Sequence, residues 1–225
     1  MTGGLRTGAQ ARRRLLAAAG LALVVPSAQV SGQAPPGQVP PYITAKPDAI
    51  IKAYGRETAD KIFSHALTPL RRDAVQRSQK AIPGFECPSD PQIALSEVIP
   101  YPVQRGVVSW IERFTLGCTP RTMRNFLIIV EAGQPRSVEL LPGLSNTDPL
   151  LQRDAMKGAA AFAATARPQG CDKTIVTDTR ITAPPERSGW VERWTYDLCG
   201  AKAEVEMTFT TSDRGGTNWS AKLVK

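Results

Sequence analysis

Histidine is nearly missing from this 225-residue chain: His65 is the only one, and none of the four cysteines forms a Cys-x-x-Cys pair. A zinc centre is therefore not expected, because its usual ligand spacings are lacking. Hydrolysis by an activated serine or cysteine would need a base that the chain hardly supplies. There is no G-x-S-x-G elbow, phosphate loop, H-E-x-x-H helix or dinucleotide fingerprint, so those nucleotide and hydrolase chemistries have no motif to rest on. Long apolar runs are lacking too. The run from Leu15 to Val25, at about 1.5 Å per residue, falls short of a hydrocarbon core of about 30 Å, and no integral membrane span is expected in the mature chain. Acidic residues are absent from the first 34 positions, where Arg6, Arg12, Arg13 and Arg14 carry half of the formal charge of +8. The rest of the charge is dispersed, without a basic run interleaved with aromatics, so nucleic acid is not an expected partner.

Those clustered arginines have another explanation. "ARRRLLAAAGLALVVPSAQVSGQA" has a charged start, an apolar middle and small residues after it, the layout of an export signal. Residues 1–32 are read as that signal, with cleavage between 28 and 34. Arg12-Arg13-Arg14-Leu15-Leu16 leaves both general and twin-arginine export open. Residues 33–55 follow as a linker, with five prolines in 33–47; proline fixes φ and removes the amide donor, which favours an extended spacer.

From residue 56 the chain repeats itself. Thr68-Pro69-Leu70 followed by Arg72-Asp73-Ala74-Val75 is echoed by Asp148-Pro149-Leu150 followed by Arg153-Asp154-Ala155-Met156. Each copy opens on a capping residue and a proline, a helix start. Leu151, Ala155, Ala159, Phe162, Ala163 and Ala166 recur at helical spacing as one stripe. In the first copy Glu57 to Leu67 is a further helical stretch, and Pro69 should break or kink the join. Strand-like stretches follow: Gln92–Ile99, Val107–Cys118, Met123–Glu131 and Ser137–Leu141, then Lys173–Thr182, Trp190–Cys199, Ala203–Thr210 and Thr217–Val224. Their β-branched and aromatic content between Pro and Gly turns predicts antiparallel meanders. The fold class is α+β: a helix plus a four-stranded antiparallel sheet, written twice, over 56–147 and 148–225.

Four cysteines in an exported chain imply two disulfides and allow three connectivities. Paired positions in a hairpin have a constant sum, so each pairing locates its turn. Cys87 with Cys118 centres on "PYPVQRG", and Cys171 with Cys199 centres on "PPERSG"; both are turn chemistry. Each bridge would contribute roughly 3.5 kcal/mol in the chain-entropy model.

The most distinctive repeat is "WIERFTLGC", Trp110 to Cys118, against "WVERWTYDLC", Trp190 to Cys199. In a strand, Trp190, Glu192, Trp194, Tyr196 and Leu198 share one face, as do Trp110, Glu112, Phe114 and Leu116. The second copy has one more residue before its cysteine, which predicts a β-bulge between Trp194 and Cys199, with Ile181 opposite Trp190. A glutamate on an aromatic face must be paired, hydrogen-bonded or protonated. Glu112 and Glu192 are therefore candidates for general acids or bases. The structural reading instead pairs Glu112 with Arg72 and Glu192 with Arg153 as clamps from helix to sheet, and duplication favours it.

The second half, "CD…WVERWTYDLCG…VEMTF…GGT" from Cys171 to Thr217, resembles uncharacterised exported proteins of alphaproteobacterial type. The first half departs from that pattern, with Thr119 where Gly200 would correspond. The resemblance implies an envelope location in a Gram-negative cell and brings no activity or site residues. Expected of the whole chain is a periplasmic or secreted, non-enzymatic module, without cofactor or metal, that binds an envelope protein or a small ligand. The alternatives are an enzyme using Glu112 or Glu192, and a cystatin-like inhibitor of secreted enzymes presenting "PPERSG" or "PYPVQRG" as a loop.

Overall fold

Among the described residues the chain forms two meanders of four antiparallel strands, the first preceded by three α-helices and the second by one. The computed structural model describes residues 46–88, 92–104, 106–119, 122–213 and 215–224; the expected signal peptide and the linker up to residue 45 lie outside them. The first repeat runs α1 (Asp48–Tyr54), α2 (Arg56–Phe63), a 3-10 turn (His65–Leu67) and α3 (Thr68–Ala81), then β1 (Ile93–Pro100), β2 (Val108–Leu116), β3 (Met123–Glu131) and β4 (Gln134–Glu139). The second runs α4 (Pro149–Ala164), β5 (Ile175–Glu186), β6 (Gly189–Leu198), β7 (Ala201–Thr211) and β8 (Thr217–Leu223). Strand order is sequential in both sheets, so every connection is a local hairpin. The fold is α+β, with one disulfide in each repeat, Cys87–Cys118 and Cys171–Cys199.

Residues 48–55 are not linker. α1 buries Ile50 in the core of the first repeat, and Gly55, at φ 85°, lets the chain reverse into α2. The break before α3 comes at Ser64, whose hydroxyl accepts from the Ala66 amide; Pro69 sits inside the first turn of α3, where its missing donor costs nothing. Asp148 caps α4 as expected, accepting from the amides of Leu150 and Leu151. The α4 stripe is narrower than its sequence pattern. Gln152, Ala155, Ala159 and Ala163 are buried, whereas Phe162 and Ala166 are exposed. Each sheet packs one face on its helices around separate cores. Phe114 and Phe126 meet in the first, and Trp190 stacks on Phe209 at 4.8 Å in the second.

The extra residue before Cys199 is absorbed differently from the expected bulge. β6 pairs with β7 without interruption from Gly189↔Thr210 to Leu198↔Ala201. Cys199 lies past the strand end, in a two-residue turn with Gly200, at φ 58° and 93°. Two successive positive φ values are those of a type I′ hairpin turn, and the Asp197 carboxylate accepts from the Gly200 amide. The irregularities sit on β5 instead, after Val176, after Ile181 and after Ala183, and they place Ile181 opposite Glu192 rather than Trp190.

The two bridges differ in exposure. Cys118 is buried, while Cys199 is exposed on its turn. Thiol attack requires access, so stepwise reduction followed by alkylation and peptide mass mapping should open Cys171–Cys199 first; equal rates would contradict this.

Candidate functional site

Glu112 is fully buried at the centre of β2, under α3. Its partner is Arg71, not Arg72. Arg71 donates through Nε to Oε2 at 3.0 Å and through Nη2 to Oε1 at 2.6 Å, and Nη2 also donates to the Ile62 carbonyl at 2.7 Å. The Trp110 indole, two residues back on the same face, donates to Oε1 at 2.9 Å. Arg72 is one residue further round the helix, about 100° away, and is exposed.

Glu192 is equally buried and, among the described residues, is bonded by no arginine. Arg153 is exposed beside Asp154, with contacts of 3.3–3.4 Å. The Glu192 carboxylate accepts from both neighbouring indoles, Trp190 and Trp194, at 2.8 Å each. It also accepts from the Asn146 amide at 2.8 Å and the Ser145 hydroxyl at 2.9 Å. Every one of these donors is neutral.

The difference between the copies has a simple origin. Phe114 in the first copy stands where Trp194 stands in the second, and phenylalanine has no N–H to offer. The helix start is displaced by eighty residues between copies, but the buried helix positions Arg71, Ala74 and Ser78 correspond to Gln152, Ala155 and Ala159, displaced by eighty-one. Arg71 thus has Gln152 as its counterpart. Where the first copy supplies a cation, the second supplies a second indole and frees its helix residue. Gln152 accepts from the Leu141 amide at 2.9 Å and donates to the Thr147 carbonyl at 3.0 Å.

Residues 140–147 join the repeats and are tied to both. From the first repeat, Asn125 donates to the carbonyls of Leu141 and Gly143, and Arg113 to that of Ser145. From the second, Gln152, Glu192 and Thr179 hold the segment, with Thr179 donating to Pro142 and accepting from the Leu144 amide. Gly143 is required where the strands approach: its φ is 81°, and a Cβ there would collide with the Thr179 carbonyl.

Beside this connector lies a cleft of about 820 Å³, walled by the β1–β2 loop, β3 and β4 on one side and by α4 and β5 on the other. Its wall includes Val103, Val138, Leu150 and Met156, each 40–54% exposed. Four large apolar side chains exposed around one cavity are unlike scattered surface hydrophobics. Tyr101 also lines the cleft, and burial and the nearby Asp148 push its pKa up. Arg124, at the back, donates to Glu139 at 2.5 Å and lies over the Phe85 ring. Burial pulls its pKa below the usual arginine value, and Glu139 opposes that shift. Neither Glu112 nor Glu192 contributes to this wall.

The clamp partners that sequence reasoning missed, Arg71 and the Ser145–Asn146 pair, carried weak signals. Arg71 needed the helix register, and Ser145 and Asn146 lie in a stretch without periodicity. Among the described residues no His, Cys, Asp and Glu group could hold a metal, and no helix is long and apolar enough to cross a membrane. No protein-family model, curated protein or solved structure matches the chain.

Proposed function

We propose that this is an exported, non-enzymatic binding module of the bacterial envelope, and that the cleft between its repeats holds an apolar small ligand. The observation that carries the reading is the cluster of exposed Val103, Val138, Leu150 and Met156 around one cavity of about 820 Å³. Apolar surface gathered in a concave site is where a ligand gains most from leaving water. The two glutamates give no such opening. Each is sealed from solvent and held by three or more donors, so a substrate proton has no path to them without unfolding the strand face. Export is supported by the N-terminal pattern and by the two disulfides, which persist in oxidising compartments.

The test is a titration with an environment-sensitive apolar dye, in native protein and in Met156→Glu. Met156 is 42% exposed, so the variant should fold normally while placing a carboxylate where the ligand would cover it. Covering that charge with an apolar ligand should weaken dye binding by about tenfold, on the order of 1.4 kcal/mol. Equal binding by both proteins would remove the cleft from consideration.

A further inference from the structure

Each sheet has two outer edges, and three of the four edges carry devices that discourage pairing with another chain. β1 has a register shift between Leu95 and Glu97. β4 contains Pro135. β5 combines three register shifts with Pro184 and Pro185. Bulges and prolines are the usual means of blunting an edge. β8 has neither, and its one charged side chain, Lys222, is engaged by Glu206 of the neighbouring strand. The strand pairs with β7 residue by residue from Val205↔Leu223 to Thr211↔Thr217. The Val224 amide donates to the Glu204 carbonyl, which sets the phase of the ladder. Asn218, Ser220 and Lys222 turn their backbone groups towards β7. Thr217, Trp219, Ala221 and Leu223 therefore point N–H and C=O outward.

We propose that β8 is a self-association edge, at which two copies of this chain pair antiparallel about a two-fold axis through Ser220. The sequence of the edge is complementary to itself in that register. Trp219 falls opposite Ala221 of the second copy and Thr217 opposite Leu223 of the second copy, and both members of each pair are outward residues, so each pair exchanges two hydrogen bonds. On the helix side, Trp219, Ala221 and Leu223 are only half-buried, and their apolar row continues across the seam. The Trp219 ring lies against Gly158, where a Cβ would collide with it. One turn further along the same flank of α4 is Phe162, 43% exposed, positioned to cover the seam. On the open face Asn218 meets Lys222 of the second copy, and Ser220 meets itself. No like charges are opposed, and Lys222 keeps its bond to Glu206 at 3.1 Å.

This inference is independent of the cleft, and it is tested on the purified chain by sedimentation velocity from micromolar to millimolar concentration. A dimer is expected. Ser220 is exposed, so substitutions there should leave the melting temperature unchanged. Ser220→Lys and Ser220→Glu each set like charges face to face and should weaken the dimer by about tenfold, and an equimolar mixture of the two should restore it. At a position without ladder bonds the two Cα atoms would be about 4.5 Å apart, within disulfide reach. Ser220→Cys should therefore form a covalent dimer on mild oxidation, and Thr217→Cys, opposite leucine, should not. A monomer throughout the concentration range overturns the proposal. So does a dimer indifferent to both charge variants, since its seam would lie elsewhere.

Discussion

Replacing Arg71 with Met is expected to cost about 3–5 kcal/mol of folding stability, one of the two largest losses in the protein, because it strands the Glu112 carboxylate in the core. The pair is 1% and 0% exposed and only 2.6 Å apart, so neither solvent nor salt can compensate for a missing partner. Only the Trp110 indole would still donate to the carboxylate, and the Ile62 carbonyl would lose its donor as well. Glu112→Gln should be similarly costly, since it leaves a buried guanidinium without a counter-charge. The double variant Arg71→Met/Glu112→Gln removes both charges while keeping an amide oxygen for Trp110. It should recover most of the loss, because desolvating the two ions costs nearly what their attraction returns. Urea unfolding of the four proteins closes a double-mutant cycle. A double variant as unstable as the sum of the singles would show that the two residues act separately.

Much of this was legible in the sequence, and what was not has identifiable causes. The repeat, the alternating face of Trp110, Glu112, Phe114 and Leu116, and the two bridges follow from patterns of period two and from turn chemistry, which act locally. The pairing of Glu112 with Arg72 failed on one residue of helix register. The repeated Arg-Asp-Ala pattern singles out Arg72 and Arg153, and only packing shows that the helix turns Arg71 to the core and leaves Arg72 exposed. α1 was hidden because it is short, lies next to the prolines, and owes its place to Ile50 reaching a core assembled from distant strands. The position of Cys199 depended on whether an extra residue enters a strand or its turn. Strand periodicity carries no information on that choice, although Cys-Gly is workable turn chemistry once Gly200 accepts a positive φ. The cleft depends on how the two repeats sit together, which follows from the hydrogen bonds of residues 140–147 and not from either repeat alone.

Glu192 should respond to substitution differently from Glu112, although the two occupy the same place in the repeat. Its donors are neutral, so Glu192→Gln strands no charge. The cost arises because an amide presents one NH2 group where the carboxylate presented two acceptors. Oxygen retained at the Oε1 site, facing Trp190 and Asn146, puts that NH2 against the Trp194 indole N–H. One buried donor facing another costs about 1–3 kcal/mol, less than the loss expected for Glu112→Gln. Glu192→Leu removes every acceptor. It leaves the buried Trp194 indole and the part-buried Trp190 indole and Asn146 amide unmatched, which at about 1–3 kcal/mol for each buried donor amounts to about 3 kcal/mol or more. The damage should also be directional, since two of the donors belong to the connector between the repeats. Amide hydrogen exchange in Glu192→Leu should accelerate across residues 141–147 while the strands of the first repeat keep their protection. Uniform acceleration through both repeats would mean that the carboxylate supports the whole fold and not the connector. A selective response would show that the duplicated glutamate has diverged: in the first copy it fastens a helix to its sheet, and in the second it fastens one repeat to the other.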